Sequence, residues 1–293
     1  MTIGAIVPTL DSAIFAKALQ SMQTTLAQQG YLLLVASHES SAATETQAVR
    51  ALLSRGVDGL MLVGAERAPE TSELLLNSGI PTVLTWCGDP AFASVTIDNE
   101  LAGRLAARHL LELGHRRIGM VTGYTQFNDR QRARLAGARS EMRDAGVLLP
   151  DWLVNEQPLT LAGGRAGCAA LLELDPRPTA LIGGIDLIAI GCIEEAHARS
   201  LDVPALLSVV GIDGLDMSAH LSPSLTTVHV PTARIGRVAA LSLIAQVRGE
   251  AFDKQIELGV ELVVRRSSAA AVGSESTQVG SESASYTSEG SRL

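Results

Sequence analysis

Four carboxylates in this chain each follow a short apolar run that has the character of a buried β-strand. They are Asp11, Asp98, Asp186 and Asp213. In open parallel sheets, ligands bind at the carboxyl ends of the strands, where such side chains can accept hydrogen bonds from ligand hydroxyls. An aspartate in this position can instead cap the following helix by accepting backbone N–H bonds. Capping is favoured for Asp186.

Three arginines occupy the first two turns of a predicted helix over Asp129–Ala145. Asn128 is the predicted N-cap, and Gln131 is predicted to return the capping-box bond. Arg130, Arg132 and Arg134 then lie where the helix dipole disfavours cations. We therefore expect a compensating group nearby, either an acidic side chain or an anionic or hydroxyl-rich ligand. A solvated basic face is an equal alternative for Arg130 and Arg132.

Sequence signatures of the common catalytic sites are missing. The chain has no phosphate-binding loop ending in Gly-Lys-Ser/Thr, no nucleophile elbow and no His-Glu-x-x-His motif. The histidines have no metal-ligand spacing, and Cys87, Cys168 and Cys192 are far apart and odd in number, as is typical of reduced cytoplasmic thiols. We therefore predict no catalytic residue, no metal site and no cofactor.

Composition limits the class of protein. The chain has 293 residues, enough for two domains, and 46% are hydrophobic. The net charge of −8 argues against a nucleic-acid-binding surface, which requires Lys and Arg to neutralise phosphates. The start lacks a basic signal-peptide region, and no apolar run reaches the roughly 18 residues of a membrane span. We expect a cytoplasmic protein without a membrane partner.

Short apolar runs alternate with amphipathic segments along most of the chain. The predicted strands are Ile3–Val7, Tyr31–Ala36, Gly59–Val63, Pro81–Leu84, Ile118–Val121, Ala180–Ile182 and Val209–Ile212. Most are followed by a helical pattern that ends at a glycine, such as Gly30, Gly56 or Gly79. This alternation predicts α/β lobes, each with a parallel sheet covered by helices on both faces.

Several motifs occur in an order that resembles the sugar-sensing domain of lactose-repressor-family transcription regulators. They are Val57-Asp58-Gly59-Leu60, Gly79-Ile80-Pro81, Asp98-Asn99, Gly114-His115-Arg116-Arg117-Ile118, Arg134-Leu135-Ala136-Gly137 and Leu225-Thr226-Thr227. The resemblance extends from Ile3 to about Ser268. It implies a two-lobed fold of the type I periplasmic-binding-protein kind that binds a small ligand and catalyses nothing.

The resemblance also implies how the chain divides between the lobes. We expect an N-terminal lobe from 1–114 and 229–252, and a C-terminal lobe from 115–228 and 253–270. The helix Thr232–Arg248 would cross back to the first lobe, and the strand-like Leu262–Val264 would return to the second. Residues 271–293 form a predicted disordered tail, because their Gly, Ser, Glu and Thr content cannot bury enough apolar surface.

By resemblance, Arg134 reaches into the cleft between the lobes and binds ligand hydroxyls together with Asp98 and Asp213. The complete predicted ligand site is Asp11, Phe15, Asp98, Arg134, Leu159, Ile185 and Asp213. Some positions depart from the family pattern: Leu159 replaces an aromatic, Ile185 an asparagine and Val230 a glutamine. The predicted pocket is therefore less polar than a typical sugar pocket, and clustered arginines favour a ligand that carries a carboxylate or phosphate.

The function implied by the resemblance is that of the effector-binding and dimerisation domain of a transcriptional repressor. The effector would be a sugar, a sugar acid or a related metabolite, and operator DNA would be bound only through a missing N-terminal headpiece. The loop with His220 and Leu221 would contribute to a homodimer, where a partner would cover an exposed leucine. The alternatives are a solute receptor of a transport system and an enzyme on a doubly wound fold.

Overall fold

The computed structural model describes residues 1–272 and contains two six-stranded sheets. In the first sheet the strand order is β11 (Gln255–Leu258), β5 (Ala93–Ile97), β4 (Thr82–Trp86), β3 (Gly59–Val63), β1 (Thr2–Val7) and β2 (Leu32–Ser37). In the second sheet it is β12 (Glu261–Val263), β10 (Thr226–His229), β9 (Ser208–Asp213), β8 (Ala180–Gly183), β6 (Ile118–Thr122) and β7 (Val154–Glu156). Within the part of the chain that is described, every strand pair is parallel except β10 with β12. The expected tail, 271–293, lies outside the described residues from 273 onward.

The helices have the following bounds. The α-helices are α1 (Ala13–Gln28), α2 (Ala42–Ser54), α3 (Pro69–Ser78), α4 (Asn99–Glu112), α5 (Asp129–Asp144), α6 (Leu161–Leu172), α7 (Asp186–Ala198) and α8 (Thr232–Arg248). Short 3₁₀ helices cover Asp151–Leu153 and Asp216–Ala219.

The central strands are buried on both faces because helices cover each sheet. All five residues of β3, β4 and β6 are buried. Their sequences are correspondingly continuous apolar runs, as expected for parallel sheets between two helical layers. The α/β alternation predicted from the sequence is therefore present in both sheets.

Helix α4 differs from the expected division of the chain. It was assigned with 1–114 to the N-terminal lobe, but it packs against α5 and against β9, β10 and β12 of the second sheet. The chain thus passes from the first sheet to the second at Asp98, directly after β5, and not near residue 114. Helix α4 packs closely against α5 because Gly103 and Gly137 let the two helical backbones approach each other.

Strand β11 is the second departure. Residues 253–270 were expected in the C-terminal lobe, but Gln255–Leu258 pairs with β5 at the edge of the first sheet. The final crossing therefore follows Leu258, and only β12 joins the second sheet. The expected return of the helix over 232–248 is observed, because α8 packs against α1, β3, β4 and β5.

Candidate functional site

Arg134 lies between the two sheets, on the second turn of α5. Its side chain is only 2% exposed. The guanidinium donates from Nε to Asn99 Oδ1 at 3.1 Å, and from one Nη to the Gly184 carbonyl at 2.8 Å and to Asp213 Oδ1 at 3.2 Å. A buried guanidinium needs such acceptors because it cannot lose its charge. Arg134 therefore joins α4, the end of β8 and the end of β9 at one point.

Two glycines hold α4 and α5 close enough for this arrangement. A Cβ on Gly137 would lie 2.0 Å from the Glu100 carbonyl oxygen, and a Cβ on Gly103 would lie 1.9 Å from the Arg134 carbonyl oxygen. Only glycine permits such an approach of two helical backbones. The glycine of the Arg134–Gly137 motif thus serves packing, and the arginine of the same motif is positioned by it.

Asp213 is the carboxylate opposite Arg134. It ends β9, is 3% exposed and has a φ of 137°, a strained value for a residue with a side chain. Burial raises its pKa to about 7, and the Arg134 guanidinium opposes that shift by favouring the charged form. The nearby charge of Asp186 also contributes to the raised pKa. Asp213 is therefore a carboxyl group whose protonation depends directly on its cationic partner.

Asn99 connects this cluster to the first sheet. Its Nδ2 donates to the Trp86 carbonyl oxygen at 3.1 Å and approaches the Cys87 Sγ at 3.6 Å. Trp86 ends β4, is fully buried with a φ of 66°, and meets the Phe15 ring edge-on at a centroid distance of 5.3 Å. A hydrogen-bonded chain thus runs from Asp213 through Arg134 and Asn99 to the backbone of Trp86 at the end of β4.

A cavity of about 550 Å³ adjoins Asp213. Its walls come from the start of α1, the segment after β9, and the chain that enters α8; the lining includes Ile14, Lys17, Met217 and Val230. Lys17 and Asp216 form an ion pair of 2.8 Å at its rim, which links α1 to the second sheet's loop. The cavity thus has an apolar wall and a buried carboxyl group, as small-molecule sites commonly do.

The first turn of α5 also contacts the loop after β3. Asp129 accepts hydrogen bonds from the backbone N–H groups of Ala65, at 2.6 Å, and Glu66, at 3.3 Å. Its other oxygen accepts from the Arg130 guanidinium at 3.0 Å, and Arg132 pairs with Glu66 at 2.7 Å. The three arginines at this helix start are therefore each compensated by a carboxylate, which confirms the expectation of an acidic partner.

Cys87 lies between the Arg134 cluster and this contact. The pKa of its thiol is raised to about 12, mainly by burial and also by the charge of Asp129 and a hydrogen bond with it, while Arg130 and Arg134 oppose the shift. These interactions show that Cys87 is close to both groups. Cys87 therefore lies between the buried Arg134–Asp213 pair and Asp129.

The four strand-end aspartates have four different environments. Asp98 is exposed and caps α4 by accepting from the Leu101 N–H at 2.8 Å, so it does not join Arg134 and Asp213 as predicted. Asp11 is exposed and does not cap α1. Capping was wrong for Asp186, which begins α7 but accepts from the Leu215 N–H, the Ser218 hydroxyl and the Thr227 hydroxyl. A fully buried carboxylate requires several hydrogen-bond donors, and Asp186 finds two of them, Leu215 and Ser218, in the segment after β9. Asp186 thereby fixes the position of that segment.

The apolar residues of the predicted site are dispersed. Phe15 is 7% exposed and packs on Trp86, and it does not line the cavity. Leu159 is 37% exposed and lies against Gly123 at the end of β6, and Ile185 is half-buried at the start of α7. Of the predicted ligand site, the structure directly joins only Arg134 and Asp213.

The predicted capping box is half correct. Asn128 accepts from the Gln131 N–H at 3.3 Å. The Gln131 side chain does not return that bond, because it accepts from the Thr122 hydroxyl and the Gly123 N–H. Gln131 thereby fixes the end of β6 instead of the helix start.

The loop predicted to join a dimer contains an exposed His220, but Leu221 is half-buried and packs against the core of the second sheet. The expected exposed apolar side chain is instead Met217, which is 48% exposed. Leu221 is held inward because its loop is anchored through Ser218 and Asp186.

Sequence reasoning missed Asn99, Trp86 and Asp129. Asn99 enters the sequence analysis only within the Asp98-Asn99 motif and has no predicted role there. Its position carries a signal, because the first residue of a helix lies on a different face from its cap. Asp129 carried a usable signal, because an acidic residue in the first turn next to two arginines is placed to pair with them. Trp86 gave no signal apart from its position at the end of a strand.

Over residues 1–272, no group of three His, Cys, Asp or Glu side chains could hold a metal ion. No helix in the same range is long and apolar enough to cross a membrane.

Known proteins match this chain along most of its length. Residues 107–268 match a family described as periplasmic binding protein-like domain. A relative named HTH-type transcriptional repressor PurR, from Aliivibrio salmonicida, is 30% identical over 271 residues, which are 91% of this chain and 81% of the relative. HTH-type transcriptional regulator MalR from Streptomyces coelicolor is 33% identical over 282 residues, which are 92% of this chain and 81% of the relative.

Solved structures give the same result. The transcription regulator GntR from Chromobacterium violaceum has a TM-score of 0.86 and 31% identity, over 92% of this chain and 99% of that one. A transcriptional regulator CelR–cellobiose complex has a TM-score of 0.82 and 27% identity, over 91% of this chain and 84% of that one. The two-sheet α/β fold agrees with these matches, and the chain belongs to the lactose-repressor family of transcriptional regulators, of which it contains the effector-binding domain.

Proposed function

We propose that a small polar metabolite binds between the two sheets at Asp213 and Arg134 and thereby controls a transcriptional repressor. The observation that carries this proposal is the buried Arg134–Asp213 pair beside a cavity lined by segments from both sheets. The cellobiose complex of a structural relative supports a sugar or sugar derivative as the ligand class. Binding would act by favouring one arrangement of the two lobes, which requires different ligand affinities in the two states.

The hydrogen-bonded chain offers a direct route for this coupling. A ligand that competes for the Arg134 or Asp213 hydrogen bonds would alter the Asn99 contact with the Trp86 carbonyl. Trp86 and Trp152 are the two tryptophans of the sequence. In a Trp152→Phe variant, Trp86 emission would report ligand binding from inside the protein.

The proposal is tested by thermal-shift screening of sugars, sugar acids and nucleosides, since a ligand that binds only the folded state raises stability with concentration. Ile14→Trp should abolish the shift by filling the cavity, because Ile14 lines it. Leu10→Trp adds the same ring at a residue that is 57% exposed and outside the cavity lining, and should leave the shift unchanged. Equal ligand binding by the two variants would contradict the assigned site.

We further propose a cytoplasmic homodimer without catalytic activity that contacts operator DNA only through an N-terminal headpiece outside this chain. The names of the relatives support a regulator over a transport receptor. Because Leu221 packs inward whereas His220 on the same loop is exposed and outside the cavity lining, His220→Glu is a better dimer probe than Leu221→Asp. Sedimentation of the unmutated chain as a monomer at micromolar concentration would contradict the dimer.

A further inference from the structure

A second polar cluster lies where the loop after β3 meets the first turn of α5. Arg67 belongs to that loop and bends back onto it: Nη2 donates to the Gly64 carbonyl at 2.5 Å, and Nε donates to the Ala65 carbonyl at 3.4 Å. Its Nη1 is buried and makes no hydrogen bond within residues 1–272. The guanidinium is thus held in a fixed orientation with one donor unused.

His38 follows β2 and has the same property. Its Nδ1 is buried and lacks a hydrogen-bond partner in the described part of the chain. Burial lowers the pKa of His38, and the charges of Arg130 and Arg67 lower it further, whereas Glu39 raises it. The imidazole therefore lies close to both guanidinium groups.

Arg130 completes the cluster from the opposite side of the cleft. Its side chain is 16% exposed, and its Nη1 pairs with Asp129 Oδ1. The same Nη1 lies so close to Gly64 that a Cβ added to that glycine would be 2.3 Å from it. Guanidinium groups from the two sides of the cleft thus approach one loop. Glu45 is the other buried carboxylate nearby; burial raises its pKa, and it forms no hydrogen bond with Arg67 in residues 1–272.

The unused groups are an arginine donor and an imidazole nitrogen, both buried. An unsatisfied buried donor is costly, and arginine cannot relieve the cost by losing its proton. Guanidinium groups bind carboxylates and phosphates with particular strength, because several N–H groups can point at two oxygens of one oxyanion. Asp129 and Glu45 already balance the arginine charges, so it is the unused donors that favour an oxyanion. A neutral hydroxyl would satisfy one donor, whereas an oxyanion could accept from several at once.

We propose that the effector carries an oxyanion group, a carboxylate or a phosphate, which is bound by Arg67, Arg130 and His38 while the rest of the ligand reaches Arg134 and Asp213. This inference rests on the proposed function and specifies its ligand class. Cys87 lies next to both clusters, because its thiol interacts with Arg130 and Arg134 and its Sγ is 3.6 Å from Asn99 Nδ2, so a ligand that extends along Cys87 would reach both.

The first test measures the thermal shift of the full chain with glucose, gluconate, glucose 6-phosphate and sodium sulfate at constant ionic strength. At least one oxyanion should stabilise the protein where glucose does not. Arg67→Met should weaken the binding of that oxyanion by about ten- to a hundredfold, as expected for the loss of a charge-assisted hydrogen bond. Arg132→Met is the matched control, because Arg132 is 49% exposed and paired with Glu66, and its variant should bind within about twofold of the unmutated chain.

The second test follows the His38 imidazole by NMR with and without sulfate, with His38→Gln to assign the signal. An anion beside the ring favours its charged form, so sulfate should raise the pKa of His38 in the unmutated chain and not in Arg67→Met. If gluconate gives a larger thermal shift than glucose 6-phosphate, the oxyanion of the effector is a carboxylate. If glucose 6-phosphate gives the larger shift, it is a phosphate.

The inference is overturned if no oxyanion raises the melting temperature and sulfate leaves the His38 pKa unchanged. It is also overturned if Arg67→Met binds the oxyanions as well as the unmutated chain does, which would leave Arg67 a purely structural role in its loop. Stabilisation by neutral sugars alone, with a change in Trp86 emission, would overturn the oxyanion and leave the proposed function intact.

Discussion

Removing the Arg134 charge should destabilise the protein, and the loss should depend on pH. Arg134→Met keeps most of the side-chain volume but leaves Asp213 buried without its cation. Breaking a buried ion pair from one side costs about 3–5 kcal/mol, because the remaining charge is uncompensated. Both partners are at most 3% exposed, so solvent cannot replace the lost interaction.

The pH dependence follows from the raised pKa of Asp213. Its folded-state pKa of about 7 lies above its ordinary value, so the folded state binds the proton more tightly, and the stability contribution falls as pH rises toward 7. Without Arg134 the pKa should rise further, and the fall should continue above pH 7. We therefore expect Arg134→Met to cost less at pH 6, where Asp213 is protonated, than at pH 9.

Urea unfolding of four proteins at both pH values tests this reasoning: the unmutated chain, Arg134→Met, Asp213→Asn and the double variant. Asp213→Asn should restore part of the stability of Arg134→Met at pH 9 and remove its pH dependence. Arg108→Met is the matched control, because Arg108 pairs with Glu141 across the same two helices but is 47% exposed, and should cost below about 1 kcal/mol. A cost of Arg134→Met that is similarly small, or equal at both pH values, would refute the argument.

The remaining predictions concern the elements that position the site. Gly137→Ala should lower the free energy of unfolding by about 1–3 kcal/mol despite its better helix propensity, because the new Cβ meets the Glu100 carbonyl; an unchanged urea midpoint would contradict the close helix contact. Asp98→Ala should lower the free energy of unfolding by about 1 kcal/mol, because it removes the α4 cap, whereas Asp98→Asn should retain most of the capping energy; thermal unfolding measures both. Burial lowers the pKa of His115 below its usual 6.5, so its contribution is lost as pH falls below that value; His115→Gln should therefore cost less at pH 5 than at pH 7.5, and a larger cost at pH 5 would show that the imidazole is charged in the folded state.

Some elements could be recognised from the sequence because their signals are local. The apolar runs of β1, β3 and β6 and the amphipathic pattern of α1 each report burial along a few neighbouring residues. Helix α6 and strand β7 were not recognised. Gly163, Gly164 and Gly167 give α6 a poor helix propensity. They are nevertheless needed because α6 packs closely on its neighbours: a Cβ on Gly164 would be 2.4 Å from the Ile188 carbonyl oxygen of α7.

The sequence alone determined the α/β class, the ordered family motifs and the presence of an arginine and an aspartate that meet at the ends of strands. The tertiary structure decided which side chains are partners. Asp98 and Asn99 are adjacent in sequence, yet one caps a helix at the surface and the other bonds Arg134 in the interior, because successive helical residues face different directions. The sheet to which α4 and β11 belong depends likewise on packing and edge pairing between segments far apart in the chain, which no local pattern encodes.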